Sequence, residues 1–198
     1  IHLSQMCASI PAINSWVSGF FLPQNEHSNF SFAIFFFLKF KKKDIYKSLR
    51  TIARVALVAL ILQIIYGGFV AGLNAGLVHN HWPLMSDGQF IHDSVFIEQP
   101  TLFKNLVEGK SGVQFVHRTF AYVVVALIVF LYYKIRKIHL NTTQSRSLKV
   151  LISFVFLQFI LGVFTLLFHV PMWLGLAHQL MAFLLLTAMT FVLHRLSK

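Results

Sequence analysis

Two histidines, His117 and His178, lie in apolar stretches long enough to form membrane helices. His117 follows Gly112 by five residues and His178 follows Pro171 by seven. A rise of 1.5 Å per residue therefore puts both about 7–11 Å below the same end of their helices. Two facing imidazoles can occupy both axial positions of a haem iron. The alternative is that each histidine only bonds to a neighbouring helix. Because the two share one depth, the spacing favours haem.

Small, basic and aromatic residues accompany these histidines. Ala121 and Ala182 each follow a histidine by four residues, which leaves a small side chain one turn deeper on the same face. Arg118 adjoins His117 and suits a carboxylate such as a haem propionate, which a guanidinium can bind with two hydrogen bonds. An arginine that extends toward lipid headgroups is the alternative. The aromatic residues expected nearby are Phe115, Phe120, Tyr122, Phe159, Phe164 and Trp173.

A short motif occurs twice, as "LQIIYGGF" and as "LQFILGVF". Its polar and small residues recur at i, i+4, i+7 and i+11, which is one face of a helix. The two faces consist of Gln63, Gly67, Val70 and Asn74, and of Gln158, Gly162, Thr165 and His169. The chain thus resembles two copies of one helix pair, related by an axis along the membrane normal. Gln63 and Gln158 either bond between helices or line a central space filled by a flat cofactor.

The elements that position these residues are expected to be membrane helices. The chain has 198 residues, of which 57% are hydrophobic and 12% charged, whereas soluble domains carry about 25% charged residues. Four apolar segments, at about 52–75, 112–133, 148–169 and 172–194, are long enough to span a bilayer. We therefore predict an all-α integral membrane protein, a four-helix transmembrane bundle made of two repeated helix pairs.

Basic residues orient the bundle. The net charge is +11, but the basic residues flank the apolar segments, as membrane topology requires, and do not indicate nucleic-acid binding. Those expected on the cytoplasmic side are Lys39, Lys41, Lys42, Lys43, Lys47, Arg50, Arg54, Lys134, Arg136, Lys137, Arg146, Lys149, Arg195 and Lys198. The connection 76–111, called the outer loop below, should lie on the opposite side. Cys7 is the only cysteine, which excludes a disulfide within the chain.

Two further regions have weaker signals. Residues 49–198 should form the four-helix domain. Residues 1–48 should be a poorly defined segment, because the chain begins with Ile and its apolar runs, at 8–22 and 30–40, are shorter than about 20 residues. We expect a truncated or wrongly predicted start. In the outer loop, His79, His81 and His92 are expected to be solvated, since a zinc site usually needs four ligands.

Four stretches together resemble the C-terminal half of haem A synthase: "GGFVAGLNAGLVHNHWPLM", "GVQFVHRTFAY", "LQFILGVFTLL" and "LGLAHQLMAFLLLT". The resemblance runs from about Leu49 to the C-terminus and is not expected in residues 1–45. It implies an eight-helix protein of two similar halves, each with a histidine pair, of which this chain is one half. His117, in the QF-x-HR motif, and His178, in the AHQ motif, would hold the iron of a permanently bound haem b.

The resemblance also implies an activity. The full-length protein would be an oxidoreductase that converts the ring methyl of haem O to the formyl of haem A for cytochrome oxidase. The substrate histidines and a glutamate belong to the N-terminal half, so no catalytic residue is assigned in this chain. Val116 departs from the family, where an acidic residue commonly precedes the histidine, and the paired loop cysteines of one branch are absent.

The implied setting is the inner (plasma) membrane of a bacterium, or the mitochondrial inner membrane of a eukaryote. Haem O would be the substrate and lipid the surroundings. Haem O synthase, oxidase assembly factors and a second copy of the chain are the candidate protein partners. Two alternatives remain, a membrane b-type cytochrome without haem O chemistry and a haem-free helical protein. Gln114 and Gln179 are candidate hydrogen-bond partners of the two histidines.

Overall fold

The computed structural model describes residues 24–86, 88–138 and 140–197, with side chains between 46 and 196. The chain divides into two units, Ile1–Ile45 and Tyr46–Lys198. In the first unit the described residues, 24–45, are helical. The apolar run expected at 8–22 lies outside the described residues. All of the predicted site residues belong to the second unit.

The described residues form helices and connecting turns, without a named strand. In chain order the elements are α1 (Gln24–Gly72), a 3₁₀ turn (Ala75–Leu77), α2 (Ser94–Ile97), α3 (Leu102–Val107), α4 (Lys110–Ile135), α5 (Thr142–Leu167) and α6 (Met172–Ser197). The prediction of an all-α protein is confirmed. The outer loop contains the two shortest α-helices, α2 and α3.

Four helical segments in the described part of the chain are long and apolar enough to cross a membrane: Tyr46–Gly72, Lys110–Ile135, Thr142–Leu167 and Met172–Leu196. Each has 25–27 residues and a mean hydropathy of 1.9–2.6. Only 17–22% of the most apolar window of each helix is buried, so most of each window lies on the outside of the described structure. The four spanning helices predicted from the sequence are confirmed.

The two helix pairs bury corresponding positions. Ala53, Ala56 and Leu60 of α1 and Leu148, Leu151 and Val155 of α5 are buried and differ in number by 95. Val124, Ile128, Leu131 and Ile135 of α4 and Leu185, Met189, Val192 and Leu196 of α6 are buried and differ by 61. The repeat seen in the Gln-x₃-Gly motif therefore extends through the packing of the core.

Corresponding helices also end alike. α1 ends at Gly72 and α5 at Leu167, and two residues later Asn74 (φ 53°) and His169 (φ 61°) have left-handed backbone conformations. A residue in this conformation commonly terminates a helix. The helical faces that begin with Gln63 and Gln158 thus end at equivalent residues, Asn74 and His169.

Candidate functional site

His117 of α4 lies against the motif face of α1. The Gln63 Nε2 atom is 3.2 Å from His117 Nδ1 and 3.5 Å from Nε2, and it donates to the His117 carbonyl at 3.0 Å. One turn along α1, a Cβ added to Gly67 would lie 3.3 Å from His117 Cε1. The glycine therefore lets the imidazole ring approach the α1 backbone.

His178 of α6 has the same surroundings on α5. The Gln158 Nε2 atom is 3.3 Å from His178 Nε2, and a Cβ added to Gly162 would lie only 2.9 Å from His178 Cε1. Each Gln-x₃-Gly motif thus contacts the histidine of its own helix pair. The sequence predicted both faces and both histidines, and the structure adds the glutamine–histidine contacts.

The two histidines lie at one depth, as predicted. His117 is seven residues after the first residue of α4, Lys110, and His178 is six residues after the first residue of α6, Met172. A rise of 1.5 Å per residue puts them about 9–11 Å from those helix ends.

Several buried polar atoms at this site lack a hydrogen-bond partner. Six such side-chain atoms occur in the described part of the chain: Gln63 Oε1, Gln114 Oε1, Arg118 Nη1, Gln158 Oε1, His178 Nδ1 and Arg195 Nε. Buried polar groups are nearly always paired, so an unpaired group calls for an explanation such as a ligand. The two imidazoles, the two glycine faces and these unpaired polar atoms are the described groups of this site that could hold a cofactor.

Arg118 fastens the outer loop to α4. Its Nη2 atom donates to the backbone carbonyls of His81 at 2.9 Å, Pro83 at 3.1 Å and Leu84 at 2.9 Å. Its Nη1 atom is buried and unpaired. The side chain therefore extends to the loop through one nitrogen and retains a second donor for an acceptor such as a carboxylate.

Two amides attach the same loop to the bundle. Gln114 is 2% exposed and donates to the His79 carbonyl at 3.0 Å. Asn80 donates to the carbonyls of Gly76 and Leu166, each at 2.8 Å. Residues 79–84, called the cap below, are thus attached to the N-terminal part of α4 and to the C-terminal end of α5.

Of the aromatic residues expected near the histidines, Tyr122 and Phe159 pack together, with ring centroids 5.5 Å apart. Trp82 of the cap meets Phe159 edge-to-face at 6.2 Å. Trp173 is 68% exposed, so it faces away from the bundle interior. The aromatic side of the site thus joins the cap to α4 and α5.

The expectation of solvated loop histidines is wrong for His79, which is only 8% exposed. Its Nε2 atom is 3.0 Å from Ser111 Oγ, and its ring lies 4.9 Å from that of His92. Ser94 Oγ bonds to both Ser111 Oγ and His92 Nδ1, at 2.8 and 2.7 Å. Burial lowers the pKa of His79, and the charge of His92 lowers it further. The helices α2 and α4 bring these polar groups together although they are distant in sequence.

Asn105 is a structural residue that the sequence did not reveal. It is 1% exposed, and its Nδ2 atom donates to the carbonyls of Phe96, Gln99 and Thr101 at 2.9, 3.0 and 3.1 Å. A Cβ added to Gly112 would lie 2.0 Å from the Asn105 carbonyl oxygen, so only glycine permits this contact of α3 with α4. A lone asparagine in a polar loop carries no periodic signal.

The two other glutamines do not contact the histidine rings. Gln114 bonds to the cap, as described, and Gln179 is exposed. The expected partnership with the histidines is therefore wrong for Gln179. Among the described residues, no group of three or more His, Cys, Asp or Glu side chains could hold a metal ion.

The COX15-CtaA model, described as cytochrome oxidase assembly protein, matches residues 27–190. The chain belongs to this family. The match begins at residue 27, so the expectation that residues 1–45 lack the resemblance is wrong from residue 27 onward. The motifs that indicated the family all lie after residue 66, so they gave no signal for the N-terminal part. The COX15-CtaA chain matches no solved structure.

Several relatives of this COX15-CtaA chain are named "Heme A synthase". The protein of Flavobacterium johnsoniae is 72% identical over 150 residues, which is 76% of this chain and 44% of the relative. That of Flavobacterium psychrophilum is 60% identical over 80% of this chain and 47% of the relative. That of Brucella anthropi is 37% identical over 94% of this chain and 47% of the relative. The chain spans about half the length of the curated relatives it matches.

Proposed function

We propose that this chain is the C-terminal half of a haem A synthase and that His117 and His178 hold a haem b between α4 and α6. The observation that carries the proposal is the duplicated site, in which a glutamine and a glycine of one helix contact a histidine of the next. Membership of the COX15-CtaA family supports it, as do relatives named "Heme A synthase".

Different residues of the chain would contact different parts of the cofactor. His117 and His178 would bind the iron, and Gln63 and Gln158 would contact those histidines. Arg118 Nη1, buried and unpaired, would donate to a propionate. A haem with two histidine ligands supplies an electron-transfer centre whose potential depends on axial ligands, burial and nearby hydrogen bonds. The cap would exclude water from the outer side.

The full-length protein would oxidise the ring methyl of haem O to a formyl group, which yields haem A. His117 and His178 would be taken up by the haem b of this half, so substrate oxidation would take place in the other half. The relatives described above come from bacteria, and we infer a bacterial plasma membrane. Haem O synthase, cytochrome oxidase assembly factors and a second copy of the chain are the proposed protein partners.

The first test is a reduced-minus-oxidised absorption spectrum of the purified chain in detergent. We expect a low-spin haem b signal that is lost in His117→Ala and in His178→Ala. His194→Ala is the matched control, since His194 is exposed in the last turn of α6. A wild-type chain without haem, or an unchanged spectrum in either site variant, would contradict the assignment.

A second measurement separates haem A synthesis from plain electron transfer. The full-length protein is produced in a host that makes haem O but no haem A, and the extracted haems are separated by chromatography. Haem A should appear with the wild-type protein and disappear with His117→Ala. A protein that binds haem b but forms no haem A would be a b-type cytochrome.

A further inference from the structure

We propose that Gln63 and Gln158 are positioning residues that orient the two histidines and set the reduction potential of the bound haem. In the haem-loaded protein, Oε1 of each glutamine would accept a hydrogen bond from the ring nitrogen that does not bind iron. This inference rests on the proposed haem site and assigns a specific role to both glutamines.

The first support is that the arrangement occurs twice. Gln63 Nε2 is 3.2 Å from His117 Nδ1, and Gln158 Nε2 is 3.3 Å from His178 Nε2. A helix-to-helix hydrogen bond alone could use many partners. Here both glutamines contact an imidazole. Each glutamine lies four residues before the glycine that the same ring packs against.

The second support comes from the atoms left without partners. Gln63 Oε1, Gln158 Oε1 and His178 Nδ1 are all buried and unpaired in the described structure. An acceptor oxygen therefore lies on each carboxamide that already contacts a ring. Buried polar groups are nearly always paired, so a state in which each glutamine oxygen accepts a hydrogen bond is favoured.

The chemistry of ligation supplies that state. A neutral imidazole that binds a metal through one nitrogen carries a proton on the other, and that N–H needs an acceptor. The carboxamide would then meet the ring with its oxygen. For Gln63, this change would exchange the bond from Nε2 to the His117 carbonyl, 3.0 Å long in the structure, for a bond from the ring N–H to Oε1.

The expected consequence is electronic. A hydrogen bond to the outer ring nitrogen raises the basicity of the ligand, and a more basic ligand stabilises ferric over ferrous iron. Loss of the acceptor should therefore raise the midpoint potential of the haem. A carboxylate in its place, which is a stronger acceptor, should lower it. If a glutamine only joins two helices by a hydrogen bond, its replacement would leave the midpoint potential of the haem unchanged.

The test is a redox titration of the purified, haem-loaded chain, followed by its low-spin absorption band. Gln63→Leu and Gln158→Leu should keep the low-spin spectrum, shift the midpoint to higher potential and weaken haem binding about 10- to 100-fold. Gln63→Glu and Gln158→Glu should shift it to lower potential. Gln179→Leu is the control, because Gln179 adjoins His178 in sequence but is exposed.

The outcomes separate the two proposals. Haem-loaded Leu variants with the wild-type potential would overturn the role of the glutamines and leave the haem site intact. A wild-type chain that binds no haem would overturn the proposed function itself. If the Leu variants aggregate, the Glu variants decide, since an unchanged midpoint in both would also overturn the inference.

Discussion

Two glycines at the site differ in how closely a histidine approaches them. A Cβ at Gly162 would lie 2.9 Å from His178 Cε1, and one at Gly67 would lie 3.3 Å from His117 Cε1. The neighbouring Gly68 has nothing within 4 Å of such an atom. Adjacent glycines of the "GGF" sequence therefore have different roles, one against the imidazole and one on an open side of α1.

These distances predict a graded response to alanine. Gly162→Ala should displace the His178 ring and cost about 1–3 kcal/mol, as overpacking does. Gly67→Ala should cost less, and Gly68→Ala should cost nothing, because alanine is the better helix former. The measurements are the haem-to-protein ratio and the thermal unfolding midpoint in detergent. Equal effects of Gly67→Ala and Gly68→Ala would show that the ring does not pack on α1.

Sequence periodicity was sufficient to predict Gln63, Gln158, His117 and His178, because a helix places residues at fixed spacings on one face. It did not predict the buried environment of His79. That histidine is buried by α2 and α4, which meet through irregular backbone. Nothing in a loop sequence marks which polar side chain will face inward.

At the scale of elements, the outer loop is attached mainly to the first three turns of α4. Ser111, Gln114 and Arg118 each bond to it, and Glu98 accepts bonds from the Ser111 backbone and hydroxyl. The same helix carries His117. The cap and the candidate ligand are therefore positioned by one rigid element, and a disturbance of the cap should reach the site through α4.

The buried His79 makes this attachment sensitive to pH. Its pKa lies below the ordinary value of about 6.5, so the unfolded loop takes up the proton first as the pH falls. The stability that neutral His79 contributes is complete above pH 6.5 or so and decreases below it, toward the folded-state pKa. We expect hydrogen–deuterium protection of residues 76–111 to fall between about pH 7.5 and pH 5.

His79→Gln is the control for this prediction, since glutamine keeps a hydrogen-bonding side chain that does not titrate. Protection in the variant should depend less on pH than in the wild type. Peptides from α5 and α6 provide an internal reference that should not change. The role of His79 is refuted if wild type and variant lose protection in parallel.

The helix boundaries show where pattern reasoning stops. The predicted third span began at about 148, but α5 begins at Thr142, after a capping box in which the side chains of Asn141 and Gln144 each accept a bond from the other residue's backbone. Apolar residues mark the part of a helix inside lipid. The backbone stays helical beyond the apolar residues, and the capping box at Asn141, not the hydropathy, determines where α5 begins.

For the whole molecule, the internal repeat determines the architecture. Buried positions of α1 and α5, and of α4 and α6, correspond one to one. This pattern follows from the sequence only where a motif such as Gln-x₃-Gly is conspicuous. The equivalence of Ile128 and Met189, both 0% exposed, involves unlike residues and appears only when the helices are packed.

The orientation in the membrane is open to direct measurement. Lys104 of the outer loop and Thr143 at the start of α5 are both exposed. In a Cys7→Ser background, Lys104→Cys should react with a membrane-impermeant maleimide in intact cells, whereas Thr143→Cys should react only after lysis. The physical basis is the clustering of basic residues on the cytoplasmic side. The opposite labelling pattern would invert the topology.

The attachment of the cap has a consequence for divergence. Arg118 and Gln114 donate to backbone carbonyl oxygens of the cap, and Asn80 of the cap donates to the backbone carbonyl oxygen of Leu166 in α5. Every amino acid supplies such an oxygen. Selection can thus preserve these three side chains while cap residues that supply only a backbone carbonyl, such as Leu84, are replaced. Orthologues with unlike cap sequences should still share one loop path.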